Sequence, residues 1–527
     1  MRKTGLALGA AITASAMMLS GCAGGGADTG AEAVYIEAIQ DDPVSMNPAI
    51  ASSPTVQRLG EAMLDPLVGI TSDFVIFPSL AQEWEWSDDA RMLTLHLAEG
   101  VTWHDGEPFT SADVVFNFEE IMPLQTYAPA MLAVIDSVEA TDDHTVVLEL
   151  NGEYGPFMQT LALQYMLPKH IYEGTDPTTN PANMAPIGTG PMMFDHFSSG
   201  EEVVLVKNPN YFRGEVQVDR AVYPIMPDDN TRTLALIAGE IDQAEIPASQ
   251  QDQIAEHPEL VHRTTGYFPQ GIILQMNAVS EPLSDVDVRA AVFAAINRDE
   301  ITEVALKGLG EPAQGFFPPS LSWAVNEDVN FDEDFPGDID AINAALDGAG
   351  YPVGEDGTRF TLDVKYISTL TDTADAAEQI KAMLADVGVG VNLEGVTSAI
   401  FIEQIYTESN FDLALLRTTV SADPSLGIAR WYVCNPDRMG ARNPSGICDA
   451  QIDAAAEGAL LTIDQDARGD FFKEMQQRSE ELIFDAPLAW TNASFPTVNT
   501  AKWNGLVDPD PDTASTDINW LTMTPVR

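Results

Sequence analysis

Apolar and polar residues alternate along several short stretches of the chain, and this alternation predicts β-strands. Three leucines separated by polar residues mark residues 93–97, and the same pattern returns at residues 146–150 and 360–366. Successive side chains of a strand point to opposite faces of a sheet, so a period of two indicates strands with one buried face. Residues 411–416 form a further apolar run that predicts a strand.

A second pattern, with apolar residues three and four positions apart, predicts helices. It is found at Val288, Ala291, Val292, Ala295 and Ile296, and again at Ala376, Ile380, Met383, Leu384 and Val387. This spacing places the apolar side chains on one face of a helix. Gly388 ends the second helix just before an apolar strand at residues 389–393. The succession of strand, helix and strand indicates a mixed α/β fold.

The stretch from residue 95 to residue 120 combines strand, turn and helix signals with a histidine. Asp105-Gly106 suits a tight turn, and Thr110 precedes Asp113 by three residues, the spacing of a capping box at a helix start. His104 beside this turn is compatible with a general base, but no nucleophile or second ligand lies nearby in the sequence. We therefore interpret the stretch as scaffolding.

The amino terminus predicts export and lipid attachment. Two basic residues precede a short apolar run at residues 5–19, which is typical of a signal peptide over residues 1–21. The run is shorter than the roughly 20 residues that span a bilayer, which makes a permanent membrane helix the weaker alternative. Leu19-Ser20-Gly21-Cys22 resembles the lipobox of bacterial lipoproteins, in which the cysteine receives the lipid. We expect Cys22 to be lipidated and residues 22–32 to form a flexible linker.

The charge of the chain is strongly negative, which excludes one class of partner. It carries 25 basic and 81 acidic residues, a formal net charge of −56. Nucleic acid is excluded as a partner because no basic cluster offsets the repulsion of its phosphates. Two interpretations of the acidic surface stay open. It keeps an exported protein soluble, or it produces a field that attracts cationic solutes.

Two cysteines remain once Cys22 is assigned to the lipid. Cys434 and Cys448 predict a disulfide, because an even pair in an exported protein meets an oxidising environment. Closing a loop of about 15 residues contributes roughly 3 kcal/mol in the chain-entropy model. A metal site is the alternative, but it needs more ligands than this pair offers, and the histidines are scattered. We predict no metal site and no cofactor.

Catalytic motifs are missing from the sequence. It contains no G-x-S-x-G elbow, no H-E-x-x-H pair and no phosphate-binding loop ending in Gly-Lys-Ser or Gly-Lys-Thr. The glycines of residues 186–191 do not make a dinucleotide site, because Pro191 lacks a backbone N–H and no clear helix follows. We therefore predict no catalytic residues, and an exported hydrolase is the less favoured class of function.

A set of short motifs follows in order along the chain. It consists of Leu80-Ala81-x-x-Trp84, Trp103-His104-Asp105-Gly106-Glu107-Pro108-Phe109 with Ala112-Asp113-Val114, Leu167-Pro168-Lys169-His170, Gly188-Thr189-Gly190-Pro191, Asn208-Pro209-Asn210-Tyr211-Phe212, Ala238-Gly239-Glu240-Ile241-Asp242, Pro282 with Asp287-Val288-Arg289 and Ala295-Ile296-Asn297-Arg298, and Ala349-Gly350-Tyr351. The set resembles the solute-binding proteins of ABC importers for peptides, nickel chelates and related solutes, often called family 5. It covers essentially the whole mature chain.

The resemblance implies an α/β fold of two lobes, the type II periplasmic-binding-protein fold with an extra small subdomain in lobe I. Lobe I is expected at residues 33–72, 188–268 and 488–527, and the subdomain at residues 73–187. Lobe II is expected at residues 269–487. The resemblance further implies that the lobes close over a ligand about a hinge.

The resemblance also points to candidate ligand-binding residues after the strand at residues 411–416. Peptide binders of the family carry an aspartate there that pairs with the α-ammonium of the peptide, and Asp423 matches it by position and type. The tryptophan expected before this aspartate is absent, and Asp423 is also compatible with an Asp-Pro turn. Arg417 could clamp a carboxylate or lie on the surface. Trp431 could form an aromatic wall or pack in the core.

The function implied is that of a lipid-anchored receptor that delivers a peptide or peptide-like solute to an ABC permease. A nickel or other metal chelate, an opine and an oligosaccharide are the alternative ligands. We expect a monomer on the outer face of the cytoplasmic membrane, in contact with the transmembrane subunits of the permease and attached to the membrane through its lipid only.

Overall fold

The computed structural model of the 527-residue chain describes residues 32–51, 53–71, 74–264, 268–492, 495–507 and 519–526. The predicted signal peptide, Cys22 and nearly all of the predicted linker lie outside the described residues. In the described part of the chain, no helix has both the length and the apolar composition that crossing a membrane requires.

The strands, in chain order, are β1 (Val34–Ile36), β2 (Val68–Ile70), β3 (Ile76–Pro78), β4 (Ala81–Trp86), β5 (Met92–Leu97), β6 (Ile135–Asp142), β7 (Thr145–Leu150), β8 (Met192–Ser198), β9 (Glu202–Lys207), β10 (Arg220–Pro224), β11 (Gln243–Glu245), β12 (Leu260–His262), β13 (Gln270–Met276), β14 (Gly310–Pro312), β15 (Phe360–Ile367), β16 (Val389–Val396), β17 (Leu413–Thr419), β18 (Asp485–Thr491), β19 (Pro496–Asn499), β20 (Trp503–Asn504) and β21 (Thr524–Pro525).

The α-helices, in chain order, are α1 (Pro54–Met63), α2 (Ser111–Phe116), α3 (Ala128–Leu132), α4 (Phe157–Ala162), α5 (Lys169–Tyr172), α6 (Asp229–Ile237), α7 (Gln251–Ile254), α8 (Val286–Ala294), α9 (Arg298–Glu300), α10 (Phe331–Asp334), α11 (Ile339–Gly348), α12 (Thr371–Asp386), α13 (Ser398–Ile402), α14 (Ala450–Leu460) and α15 (Gln465–Leu482).

Lobe I is built on two sheets. One has the order β1-β10-β9-β8, with β1 parallel to β10, and the other has the order β11-β19-β12. Strand β19 comes from the carboxyl-terminal part of the chain and lies between two strands of the amino-terminal half. The chain therefore returns to lobe I after completing lobe II.

The small subdomain is a four-stranded antiparallel sheet of order β4-β5-β7-β6. Its central strands confirm the predicted alternation, because Leu93 pairs with Leu148 and Leu95 with Val146, and all four side chains are fully buried. Burial of apolar side chains on one face stabilises a sheet that is solvated on the other. The helix start is also confirmed, since α2 follows a capping box formed by Thr110 and Asp113.

Lobe II is a six-stranded mixed sheet of order β14-β18-β13-β17-β15-β16, covered by helices. The predicted apolar faces of α8 and α12 lie in its core. Arg289, part of one family motif, is buried here and donates hydrogen bonds to the backbone carbonyl groups of Leu283, Leu482 and Ile483. The arginine of this motif is thus a packing element of lobe II.

The chain passes between the lobes after β12, which belongs to lobe I, and after β18, which belongs to lobe II. The predicted boundary between residues 487 and 488 falls inside β18, whereas the whole strand pairs with β13. Strand β18 continues in lobe II because its backbone groups complete the ladder through Thr491. The change of sheet comes between Thr491 and Pro496.

His104 joins the subdomain to lobe I. The Gly188 N–H donates to its Nδ1 at 3.2 Å, so its Nε2 carries the proton and donates to the Gly190 carbonyl at 3.0 Å. Burial lowers the pKa of His104 to about 4, and the hydrogen bond to Gly190 and the charge of Asp105 oppose this shift. The neutral histidine thus holds the subdomain against lobe I through these two hydrogen bonds. This agrees with the interpretation of residues 95–120 as scaffolding.

Candidate ligand cleft

A cavity of about 330 Å³ lies where lobe I, the subdomain and lobe II meet. Lobe I contributes Gln57 and Glu61 from α1, the subdomain contributes residues 125–127 and 162–165, and lobe II contributes Thr419 and Ser421. A space bounded by both lobes is where a two-lobed binding protein encloses its ligand. This cavity is the candidate ligand cleft.

Aromatic rings and one guanidinium line much of the cleft. The aromatic lining residues are Phe77, Tyr127, Tyr165, Tyr211, Phe268 and Trp520. Arg213 lies over the ring of Phe77 at 5.1 Å, and it also lines the cleft. A cation over an aromatic face is held by the quadrupole of the ring.

Asp65 is a buried carboxylate at the edge of the cleft. The hydroxyl of Thr189 donates to its Oδ2 at 2.8 Å, and the Tyr211 hydroxyl donates to its Oδ1 at 3.1 Å. Burial raises the pKa of Asp65, and the hydrogen bond from Thr189 and the charge of Arg213 oppose this rise. Its hydrogen bonds make Asp65 part of the cleft wall.

Two glutamines in the cleft wall present polar atoms without a partner. Gln125 and Gln164 are buried, and both line the cleft. The Nε2 of Gln125 and the Oε1 of Gln164 have no hydrogen-bond partner among the described residues. Buried polar atoms in a protein normally have a partner. Both atoms are buried, so a bound solute would supply the missing acceptor and donor only if the two side chains turn toward the cleft.

The structure places Asp423 outside the lining of the cleft. Its carboxylate is buried and accepts a hydrogen bond from Arg468 Nη2 at 2.7 Å and one from the Ser425 N–H at 2.9 Å. The two side chains of the ion pair are 3% exposed for Arg468 and 1% for Asp423. An incoming α-ammonium would therefore compete with a buried guanidinium for this carboxylate.

Arg417 and Trp431 are also engaged within lobe II. Arg417 donates from Nη1 to Asp372 Oδ2 at 3.1 Å, and its side chain is 25% exposed. Trp431 is 1% exposed and belongs to the lobe II core. Of the two alternatives that the sequence allowed for Trp431, a cleft wall or the core, the structure shows the core. Thr419 and Ser421, between the predicted residues, are the ones that line the cleft.

Cys434 and Cys448 form a disulfide in the structure, with their Cα atoms 4.4 Å apart. Their loop lies in lobe II, ahead of α14. The predicted lipidation site, Cys22, lies outside the described residues. In the ranges that the structure describes, no group of three or more His, Cys, Asp or Glu side chains is placed to hold a metal ion.

Comparison with known proteins identifies the family. Residues 75–438 match the model of bacterial extracellular solute-binding proteins, family 5, middle region. The chain belongs to this family. It is a bacterial extracellular solute-binding protein, and proteins of the family are transport binding proteins rather than enzymes.

Individual relatives of this solute-binding protein share about a quarter of its residues. The dipeptide-binding protein of Escherichia coli is 26% identical over 475 residues, which span 83% of this chain and 85% of the relative. The nickel-binding periplasmic protein of the same organism is 26% identical over 457 residues, 82% of this chain and 85% of the relative.

A solved structure shares the fold. The ABC transporter substrate-binding protein CtaP of Listeria monocytogenes superposes with a TM-score of 0.82 at 24% identity, covering 94% of this chain and 100% of that structure. This similarity confirms the two-lobed α/β fold predicted from the sequence motifs.

The sequence motifs did not reveal the glutamines of the cleft. Gln125 and Gln164 lie outside every family motif and carry no charge. Gln125 follows a short 3₁₀ turn, and Gln164 follows α4. A polar residue in a loop is ordinarily solvated, so only burial identifies these two as candidate ligand contacts. No spacing rule in the sequence would have found them.

Proposed function

We propose that this solute-binding protein is the lipid-anchored receptor of an ABC importer, capturing a peptide or peptide-like solute in the cleft and delivering it to the membrane permease. The observation that carries the proposal is the cavity of about 330 Å³ bounded by both lobes and the subdomain. The names of the dipeptide-binding and nickel-binding relatives support a small ligand of this kind.

The size of the cleft limits the ligand. Small-molecule sites generally measure about 300–1,000 Å³, and this cleft of about 330 Å³ is near the lower end. We therefore propose a peptide of a few residues rather than a long one. A peptide group carries one acceptor and one donor, the complement of the unpartnered Nε2 of Gln125 and Oε1 of Gln164.

Binding should depend on these two amides. Gln125→Leu and Gln164→Leu each remove one polar partner from a water-poor wall, and each should weaken binding by about tenfold. Gln253→Leu, at an exposed position of α7 that does not line the cleft, is the matched control. Isothermal titration with the best solute of a di- and tripeptide set measures the effect, and equal affinity of all four proteins would contradict the glutamine contacts.

A ligand without an α-ammonium is the second candidate, because Arg468 already holds Asp423. A metal chelate, an opine or an oligosaccharide would leave this ion pair intact. Under the peptide proposal, the ammonium group binds Oδ2 of Asp423 while Arg468 stays on Oδ1, and Arg417 exchanges Asp372 for the peptide carboxylate.

Chemical editing of the ligand separates these possibilities. If Asp423 binds the ammonium, N-acetylation should weaken binding to the native protein and have much less effect on Asp423→Asn, because both changes remove the same pair. Amidation of the carboxyl end paired with Arg417→Gln tests the second contact in the same way. A penalty for N-acetylation that is equal in native and Asp423→Asn protein would assign Asp423 a purely structural role.

The ligand itself can be identified directly. Native mass spectrometry of the protein as purified should reveal a retained solute, and a thermal-shift screen with dipeptides, tripeptides and nickel–histidine should follow. A ligand at 100 times its dissociation constant adds about 2.7 kcal/mol to the free energy of unfolding. Stabilisation by no peptide, together with stabilisation by the nickel complex, would replace the peptide proposal with the chelate.

Lipid on Cys22 would hold the receptor at the outer face of the cytoplasmic membrane. We propose that the receptor is a monomer there. Replacing this cysteine removes the acceptor atom for the lipid. Cys22→Ala should therefore be released from membranes and lack the mass of a lipid. A variant that still partitions into detergent with that mass would contradict anchoring at Cys22.

A further inference from the structure

The subdomain touches lobe II at a second place, away from the chain connections between the lobes. The loop between β7 and α4 meets the turn between α14 and α15, where the Gly155 N–H donates to the Leu460 carbonyl at 2.7 Å. The side chain of Leu460 packs against the apolar core of the subdomain. Ala422 and Leu426 of lobe II are buried in that same core.

Gly155 has no room for a side chain. A Cβ atom there would lie 2.4 Å from the Thr462 carbonyl oxygen, 2.5 Å from Arg468 Nε and 2.9 Å from the Ala459 carbonyl oxygen. All three atoms belong to lobe II, and two of them are backbone atoms. The φ angle of Gly155 is not in the left-handed region. The glycine is therefore required by the approach of lobe II and not by the conformation of its own loop.

On the lobe II side of the contact, several interactions fix the side chain of Arg468. Arg468 donates from Nε to the Ala459 carbonyl at 2.8 Å and from Nη2 to Asp423 at 2.7 Å, and its guanidinium lies 5.3 Å from the ring centre of Trp323. The Asp423–Arg468 pair thus fixes the turn that Gly155 meets. Across the contact, Tyr154 is buried, and the charge of Asp423 helps burial to raise the pKa of its hydroxyl.

The contact can open without unfolding either partner. The subdomain is joined covalently to lobe I, and the chain enters and leaves lobe II between β12 and β13 and between β18 and β19. A rotation about these connections separates Gly155 from Leu460. It leaves the subdomain sheet and the lobe II sheet intact, since the two sheets share no strand.

We propose that this contact, formed by Tyr154, Gly155, Leu460 and Arg468 with the core residues Ala422 and Leu426, is a latch that sets the balance between open and closed forms of the protein. The latch rests on the proposed function in one respect, namely that ligand capture requires closure. Because the latch residues do not line the cleft, they alter affinity through the population of the closed form.

Two pairs of variants test the latch. Gly155→Ala inserts a methyl group into the contact, whereas Gly152→Ala, in the same loop, places its Cβ no closer than 3.4 Å to Val134. Leu460→Ala removes an apolar contact with the subdomain, whereas its neighbour Leu461 is 46% exposed and Leu461→Ala removes little. The second pair keeps the test decisive if Gly155→Ala fails to fold.

The measurements are made on the full mature chain without ligand. Hydrogen exchange at residues 154–156 and 459–463 should be about tenfold faster in Gly155→Ala and Leu460→Ala than in the native protein. Small-angle X-ray scattering should give these two variants a larger radius of gyration, and both controls should match the native protein. The same exchange and the same radius in all folded variants would overturn the latch.

The latch and the proposed function fail in different ways. Failure of the latch is seen without ligand, as native-like exchange and radius in Gly155→Ala and Leu460→Ala. Failure of the proposed function is seen in the native protein, as the lack of any stabilising peptide or chelate in the thermal-shift screen.

Discussion

The small subdomain contacts lobe I and lobe II in two different ways. Toward lobe I it is held by buried polar groups, such as His104 on the carbonyl of Gly190 and Asn183 on the side-chain amide of Asn47. Toward lobe II, the described residues of the subdomain offer a backbone hydrogen bond from Gly155 and an apolar surface. Breaking the first contact would strand buried polar groups, whereas opening the second exposes mainly apolar surface and one peptide group to water.

The two contacts therefore act as a fixed joint with lobe I and a movable joint with lobe II. Contacts that leave buried donors and acceptors without partners on separation are costly to break, so the subdomain moves with lobe I. Opening the lobe II contact leaves fewer buried polar groups without partners, and its main cost is the exposure of Ala422, Leu426 and Leu460 to water. His104, in the contact with lobe I, belongs to a family motif. The contact with lobe II depends instead on the close approach of lobe II to the loop at Gly155.

The largest expected effect on stability comes from breaking the ion pair between Asp423 and Arg468, which fixes the lobe II side of the latch. Asp423→Ala leaves the guanidinium of Arg468 buried without its partner, and we expect a loss of about 3–5 kcal/mol in the free energy of unfolding. Asp470→Ala, at a side chain that is 84% exposed, should change stability by less than about 0.5 kcal/mol. Urea denaturation of both variants measures the difference. Unchanged stability of Asp423→Ala would show that the carboxylate is not held as the structure has it.

Acid should weaken the contact between the subdomain and lobe I, because the buried His104 is neutral in the folded protein. Burial holds its folded-state pKa at about 4, below the 6.5 of an unperturbed histidine, so the unfolded chain binds the proton more readily. The contribution of His104 to stability is present above pH 6.5 and is lost as the pH falls toward about 4, by about 3 kcal/mol in total.

A variant isolates this contribution from the other titrating groups. His104→Phe lacks the titrating ring, so its stability deficit relative to the native protein should shrink between pH 7 and pH 4. His196→Gln, at a histidine side chain that is 44% exposed, serves as the control. Chemical denaturation at both pH values provides the measurement. A deficit of His104→Phe that does not vary with pH would contradict a neutral buried histidine.

Asn47 of lobe I tests the same joint without charge. Its side chain donates to the Tyr172 hydroxyl and to Asn183 Oδ1, both in the subdomain, and accepts from the Ala49 N–H. Asn47→Ala leaves buried polar groups without partners and should cost about 1–3 kcal/mol. The latch should not respond, so exchange at Gly155 should match the native protein once global unfolding is subtracted. Faster local exchange at Gly155 would mean that the two joints are coupled.

The smallest effect is expected at the lysine of a family motif. Lys169 contributes its backbone N–H to Asp113 at 3.0 Å, while its ammonium forms an exposed ion pair with Glu173. Exposed pairs of this kind contribute about 0–1 kcal/mol, and a methionine keeps the backbone group. Lys169→Met should therefore shift the melting temperature by no more than a few degrees. A larger loss would show that the lysine side chain has a further partner.

Much of this architecture could be predicted from the sequence because its signals are local. The alternation at residues 93–97 and the capping box of Thr110 and Asp113 depend on neighbours in the chain, and both predictions are confirmed. The family motifs also gave the two-lobed fold correctly. Local signals of this kind determine which segments form elements and which faces are buried.

Contacts between distant segments could not be predicted in this way. The position and type of Asp423 indicated a ligand contact, but its partner Arg468 lies 45 residues away on α15. The unpartnered Nε2 of Gln125 and Oε1 of Gln164 are recognised only once the fold has buried them in the cleft wall. Gly155 carries no side chain, so nothing in its sequence context indicates that lobe II approaches it.

Hydrogen exchange at Gly155 in the native protein, with and without the solute found by mass spectrometry, tests whether the lobes close over a captured solute. Capture of a solute between the lobes must stabilise the closed form, and under the latch proposal this is the form in which the Gly155 N–H bonds to the Leu460 carbonyl. Saturating ligand should therefore slow exchange across residues 154–156 and 459–463 by about tenfold or more. Exchange that stays unchanged while the ligand is bound would contradict capture by closure of the lobes.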